Sequence, residues 1–465
     1  MSPRAVPWTR ANSIESFCAF LVLAAGCYTA YQTIAQGYLP APFYPDATDT
    51  FRDWFSVANW AHTGGAYDTW LAVYPPLSFV ITKYLALPSC YAFDMSMGAR
   101  ECDWVGILAL HLFLVLNGIV ASLTYMRLDR RTALPRAFVL TAGMPMLFGL
   151  ERGNIILLCI TTCMLAWGPL VRSARWRWLF AGLAVNFKVY LVAVVLAQLI
   201  RRKWLAAEGA LLATVAVYLA SFAILGEGTP GEILANLINF AQGFYSTQAN
   251  AVAIWYNSTY SSMYLVLTDS SAPVTMLLGS VMVDRLTLLL LVIIRSSQLV
   301  LLGSLVAAWL RPEVVTPHRL ASLSLGVVMV LQENPPYAMP VLLYFVLMER
   351  WKGRLVPISI VMTYLISVPI DYNLGSSLWV EQFSYVGNRF VSSERALQLG
   401  MFIRPLGHTL IPVCLALDTI VAVVRDVRQD GWQNRWRFRH DWPLLPRVRR
   451  PLPPASTAPA DTSPA

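Results

Sequence analysis

Charge is what this chain has least of. Asp, Glu, Lys and Arg make up 13% of its 465 residues, about half of the roughly 25% found in soluble globular domains. With 57% hydrophobic residues and a mean hydropathy of +0.54, that shortage excludes a soluble enzyme, a disordered chain and a nucleic-acid-binding domain. The five histidines, His62, His111, His318, His408 and His440, show no ligand spacing such as H-E-x-x-H, so no metal is expected. Seven cysteines make neither a disulfide scaffold nor a CxxC site, and Cys18, Cys27, Cys159, Cys163 and Cys414 lie in apolar runs as packing residues. A Walker-A pattern, a Rossmann glycine pattern and a serine nucleophile elbow are all missing, which leaves ATP coupling and any cofactor without support.

What the chain does have is long apolar runs, at 14–36, 104–127, 204–225, 284–310, 355–370 and 404–424. Shorter pairs flank polar breaks at 136–149/155–171 and 319–332/338–348, and further runs stand at 179–200 and 76–88. A span needs about 20 apolar residues, so these make an all-α polytopic membrane protein of roughly 10–12 helices. The first run is too long for a cleaved signal peptide and lacks a small-residue cleavage pattern.

Basic residues stay on the cytoplasmic side. They cluster at Arg4 and Arg10, Arg127 to Arg136, Arg172 to Arg177, Arg201 to Lys203 and Arg350 to Arg354, and again beyond Asp426. The acids Asp46, Asp49, Asp53, Asp68, Asp94, Glu101 and Asp103 gather on the other side. Both termini are therefore expected in the cytoplasm of a cell membrane protein, and the net charge of +9 is a topology signal that needs no polyanionic partner. Residues 1–13 form a cytoplasmic N-terminus and 14–425 the membrane domain, with 426–465 a basic, Pro-rich tail, largely disordered. Only 179–200 resists the charge rule, being flanked by bases at both ends. A hairpin of half-helices broken near Asn186-Phe187-Lys188 reconciles its length with its charge.

The loop at 37–75 is too long for a plain connector. It holds Asp46, Asp49, Asp53-Trp54-Phe55, a helical turn at Trp60-Ala61-His62, then Gly64-Gly65, Tyr67 and Tyr74-Pro75-Pro76-Leu77. Carboxylates amid Trp and Tyr at a membrane edge suit the deprotonation of a hydroxyl nucleophile; solvated acids on an outer loop are the plainer alternative. Tyr74-Pro75-Pro76 makes a rigid extended entry, and Pro76 can open a short helix.

That loop, followed by Arg152-Gly153-Asn154 at an outer break and by Lys188 in a short run before Arg201-Arg202-Lys203-Trp204, resembles glycosyltransferase family 87 over about residues 14–350. The family consists of polytopic enzymes of the GT-C superfamily, including polyprenol-phosphate-mannose-dependent mannosyltransferases. The resemblance implies a GT-C-type bundle with short helices in the first outer loop. It also implies inverting transfer on the outer face from a polyprenyl-phosphate-sugar donor, without nucleotide sugar or obligatory metal. The base carried over by position is Asp53, with Asp49, one helical turn away, as the alternative. The family's late outer histidine is missing: Gln332-Glu333-Asn334-Pro335-Pro336-Tyr337 stands there, so Glu333 substitutes or the role is absent.

The remaining polar residues at membrane level carry two readings each. Glu151, Arg152 and Asn154 form either a site wall or a self-satisfied brace. Lys188 holds the donor phosphate or snorkels to an interface. Arg295 is a second phosphate candidate, or an end residue if its helix starts earlier. Glu333 contacts acceptor or sugar, or lies in a plain turn. Gln248, Asn250, Trp255, Tyr256 and Asn257 suit a pyranose, or belong to an aromatic belt. Cys90 and Cys102 are expected to form a disulfide, with two free thiols as the alternative.

The expected function is transfer of a hexose, most plausibly mannose, to a lipid-linked or envelope glycan, among membrane lipids. A polysaccharide polymerase or ligase would need paired arginines such as Arg389, Arg395 and Arg404, and a transporter or flippase would need internal repeats, which are not seen.

Overall fold

The structure is a computed structural model that describes residues 10–92, 96–241, 263, 267–268, 274–331, 335–375 and 377–432. Glu333, Asn257 and the tail at 433–465 lie outside these.

The apolar runs become helices. In chain order they are α1 (Arg10–Gln36), α2 (Arg52–Thr63), α3 (Pro76–Tyr84), α4 (Ser96–Cys102), α5 (Trp104–Leu128), α6 (Ala133–Ala142), α7 (Met144–Glu151), α8 (Ile156–Trp167) and α9 (Ala174–Phe187). Then follow α10 (Val192–Ile200), α11 (Trp204–Leu225), α12 (Pro230–Ala241), α13 (Ser280–Leu310), α14 (Pro317–Leu331), α15 (Met339–Val346), α16 (Leu355–Ile366) and α17 (Gly400–Asp430). By length and composition, five stretches are able to cross a membrane: Ala11–Gln36, Trp104–Leu128, Ala133–Glu151, Trp204–Leu225 and Ser280–Leu310. Shorter apolar helices pack among them, and the result is an all-α polytopic membrane protein.

Residues 426–430, at the start of the basic tail, are the last turn of α17. The stretch 371–404 is more than a loop, because it folds an antiparallel hairpin of β1 (Leu378–Ser384) and β2 (Arg389–Arg395), with Leu378 opposite Arg395 and Ser384 opposite Arg389. The hairpin rests on the first loop, where Gln382 donates to the Pro45 carbonyl at 2.9 Å and Ser384 to that of Gly37 at 2.5 Å.

Charge pins the opposite end of the bundle. Glu15 on α1 is fully buried and accepts from Arg136 (2.6 and 2.7 Å), Trp351 (2.6 Å) and Tyr364 (2.9 Å). Arg319 at the start of α14 donates to Glu349 at 2.7 and 2.8 Å and to Asp418 at 2.9 Å. Burial alone would raise the Glu349 carboxyl, but hydrogen bonds from His318 and Arg319 hold it at about 2.

The helices α9 and α10 are the two halves expected for 179–200, with α9 starting earlier, at Ala174. The helical ladder breaks at Lys188, whose backbone is extended (φ −141°, ψ 103°), before a short 3₁₀ turn at Val189–Leu191. Arg177 near the start of α9 and Arg201 just past the end of α10 line the same cavity, so the pair turns back on itself.

Cys90 and Cys102 are joined by a disulfide that ties the turn after α3 to the end of α4. Closing a loop of about a dozen residues stabilises a fold by about 3 kcal/mol in the chain-entropy account. Cys102→Ser is therefore expected to lower the melting temperature, and thiol labelling of the unreduced protein should leave both cysteines unmodified.

Candidate functional site

The site starts where two distant segments meet edge to edge. Phe51 donates its backbone N–H to the Glu151 carbonyl at 2.7 Å, and Asp53 donates to that of Arg152 at 3.0 Å. Gly153 makes this approach possible. It has a φ of +65°, and a Cβ there would lie 2.8 Å from the Phe51 carbonyl oxygen and 3.0 Å from its Cα. Only glycine relieves both constraints, since the left-handed conformation is disfavoured and the opposing atoms are backbone.

Arg152 then crosses between the two carboxylates. One Nη donates to Asp49 at 2.7 Å and the other to Asp53 at 3.0 Å, while the guanidinium lies 4.5 Å from the Tyr44 ring centroid. Arg52 takes the second oxygen of Asp49 at 2.7 Å, so two guanidinium groups face two carboxylates. The bond to Asp49 raises the Arg52 pKa. Burial and then the Asp49 carboxylate push the Tyr44 phenol up to about 12 and keep it neutral. The aspartates differ in access: the Asp49 side chain is 5% exposed and doubly paired, whereas that of Asp53 is 20% exposed.

Asn154 completes the clamp. Its Oδ1 accepts from Ile156 N–H at the start of α8, and its Nδ2 donates to Asp53 at 2.7 Å and to the Tyr74 hydroxyl at 3.1 Å. The Tyr74 ring in turn faces Lys188, whose Nζ lies 4.4 Å from its centroid and 5.3 Å from that of Tyr337. No carboxylate lies within salt-bridge distance of Lys188 among the described residues.

A cavity of about 560 Å³ opens over Asp49 and Asp53. Sequence reasoning placed Trp60 in this loop without a role and did not single out Arg52, Ser56, Asn59 or Trp70, which also line the cavity. The two indoles stack with centroids 5.5 Å apart and planes within 15°. Two glycines with positive φ, Gly64 and Gly65, turn the chain between them, and Glu227 holds that turn by accepting from the N–H groups of Gly65 and Ala66. The Gly64-Gly65 pair between two tryptophans was the one available signal.

The structure thus gathers Asp49, Asp53, Tyr74, Arg152, Asn154 and Lys188. Glu151 joins through its main chain; its carboxyl is buried, its Oε2 has no hydrogen-bond partner among the described residues, and it forms no ion pair with Arg152. Arg295 does not join. It lies in the middle of α13, exposed, and donates to Gln298 one turn on. The helix turns Arg295 outward, apart from the residues gathered around Asp53 and Lys188. Nor do the paired arginines of the hairpin region converge on the cavity: Arg404 is engaged by Asp371 at 2.6 Å and Arg389 is exposed.

The model of glycosyltransferase family 87 matches residues 70–333, more than half of the chain. The chain belongs to this family. It is a membrane glycosyltransferase, and its architecture is consistent with the GT-C superfamily. The matched stretch holds Tyr74, Arg152, Asn154 and Lys188, while Asp49 and Asp53 precede it. No curated protein and no solved structure matches the chain.

Removing one partner of a buried ion pair typically costs about 3–5 kcal/mol, because the other charge is left uncompensated. Arg152→Gln is expected to lower thermal stability by an amount near the bottom of that range, since Arg52 still neutralises Asp49. A melting curve unchanged from the parent would show that the clamp is not needed for folding.

Proposed function

We propose that this glycosyltransferase moves a hexose, most plausibly mannose, from a polyprenyl-phosphate carrier to a lipid-linked or envelope glycan on the extracytoplasmic face of a cell membrane. The observation that carries the reading is the chain of contacts from Asp53 through Asn154 and Tyr74 to Lys188: a carboxylate at one end and, at the other, an ammonium with no carboxylate partner among the described residues. An inverting transfer needs both at once, on opposite sides of the sugar.

In this mechanism the acceptor hydroxyl enters the cavity and gives its proton to Asp53 as its oxygen attacks the anomeric carbon. The bond from that carbon to the phosphate oxygen breaks on the far side, and its electron pair stays on the phosphate. Lys188 meets the charge that grows there, and a fixed cation in a site poor in water lowers the barrier. Asp53, rather than Asp49, is the base because it is the more open of the two and Asp49 is bound by two arginines. Arg152 and Asn154 aim the carboxylate. The stacked Trp60 and Trp70 line the acceptor side of the cavity, where flat indole faces suit a sugar ring.

Asp53→Asn keeps a group that accepts from Arg152 but cannot take a proton, and loss of a general base typically costs about 10²–10⁴ in rate. Purified variant and parent are to be compared with polyprenyl-phosphate-mannose as donor and an extract of the host's lipid-linked glycans as acceptor. Near-parental turnover would move the base elsewhere, with Asp49 the next to test. A deletion strain should accumulate a glycan lipid lacking one hexose, and a complete glycan would refute the reading.

Lys188→Gln is expected to impair use of the donor far more than use of the acceptor, whereas Lys188→Arg retains part of the activity because charge survives but shape changes. Steady-state kinetics with each substrate varied in turn separates this from a snorkelling lysine, whose loss would leave both constants within about twofold.

A further inference from the structure

At the end of α8 and α9 away from Asp53 lies a second cavity, of about 400 Å³. At about 1.5 Å per residue, the helices place it roughly 18–21 Å from the Asn154 and Lys188 ends. Arg172, Arg177, Arg201 and Lys203 line it, with His318 from the start of α14, a residue that pairs with Glu349 at 3.4 Å, and no carboxylate stands among the described lining residues. Arg177 uses its Nε on the Ala166 carbonyl at 2.8 Å, which leaves both Nη groups for another acceptor. Beneath the bases the walls turn apolar: Ala181, Val195, Ala210 and Phe345 are buried there, and Trp167 and Trp178 stand at the sides.

A preference of basic residues for one membrane face explains why such residues are present. It does not explain why both ends of a re-entrant helix pair bring them to one cavity with an apolar floor. Arg172 and Arg177, which form no ion pair among the described residues, repel each other at one rim unless an anion sits between them. The combination of a cationic rim with an apolar base fits a phosphate group carried on a hydrocarbon stem.

We propose that this cavity binds the head group of an anionic phospholipid. The phosphate lies against Arg172 and Arg177, and the upper acyl region lies over the apolar floor. The site is independent of the Asp53 chemistry and stands whether or not the donor has been assigned correctly.

The test is native mass spectrometry of the purified full chain, titrated with phosphatidylglycerol, phosphatidylcholine or inorganic phosphate. Phosphatidylglycerol should give a retained adduct that Arg172→Gln/Arg177→Gln weakens by roughly tenfold or more, in line with the loss of two basic contacts. Arg172→Lys/Arg177→Lys should hold the lipid within a few fold, which distinguishes lost charge from a damaged fold. Arg130→Gln/Arg131→Gln, a neutralised cluster of exposed residues outside the cavity, should bind as the parent does. Equal loss in the Arg130/Arg131 variant, or equal binding of phosphatidylcholine, would overturn the proposal. So would full competition by inorganic phosphate at the same concentration, since the cavity would then be a free-anion site.

Discussion

Asp49 and Asp53 repel each other, and the structure answers that repulsion with one planar cation that bridges them and a second on Asp49. Arg152 lies between Asp49 and Asp53 with one nitrogen on each, a geometry that a guanidinium can supply and an ammonium cannot. The Asp53 side of the cavity is organised about that bridge. The main-chain bonds from Phe51 and Asp53 to the α7–α8 junction hold the arginine's own backbone against the loop it serves. Asn154, two residues on, takes the remaining oxygen of Asp53. The first loop is thus attached to the helical bundle through the residues that would do its chemistry, so site geometry and loop docking are one set of bonds.

Much of this was legible in the sequence, for identifiable reasons. Long apolar runs announce themselves because a bilayer imposes a length, and the break at Lys188 was forced by having bases at both ends of a run too short for two spans. Arg152 and Asn154 stood out as polar residues at an edge where lipid penalises them, and Tyr74 by the two prolines that follow it. What stayed hidden depends on angle and on distant pairing. Arg295 looks like Lys188 in sequence, as a cation inside an apolar run, yet rotation about the axis of α13 turns one outward while the helix break turns the other toward Tyr74. The stacking of Trp60 on Trp70 requires a glycine turn that Glu227 holds from far along the chain. The β-hairpin at 378–395 is short and polar at its edges, with its support in the first loop, so nothing local sets it apart from a connector.

The re-entrant pair α9–α10 links the two ends of the molecule. Its apex presents Lys188 to the aromatic rings beside Asp53, and its base lies among arginines on the far face. A lysine at the tip of such a pair is carried to its place by backbone rather than by its own flexible stem. A full span would keep its hydrogen-bond ladder closed and leave no such tip. The extended conformation at Lys188 is the point at which that ladder opens.

Glu15 has a consequence for how the protein is made. Its carboxylate sits on α1, which leaves the ribosome ahead of its partners Arg136, Trp351 and Tyr364. At about 5–20 residues per second, the last of these emerges roughly 20–70 s later. Arg136, 121 residues on, comes first, and until then the acid has none of these partners; lipid is a costly place for a bare charge. The set of donors that holds Glu15 is therefore complete only once α16, which carries Tyr364, has been made.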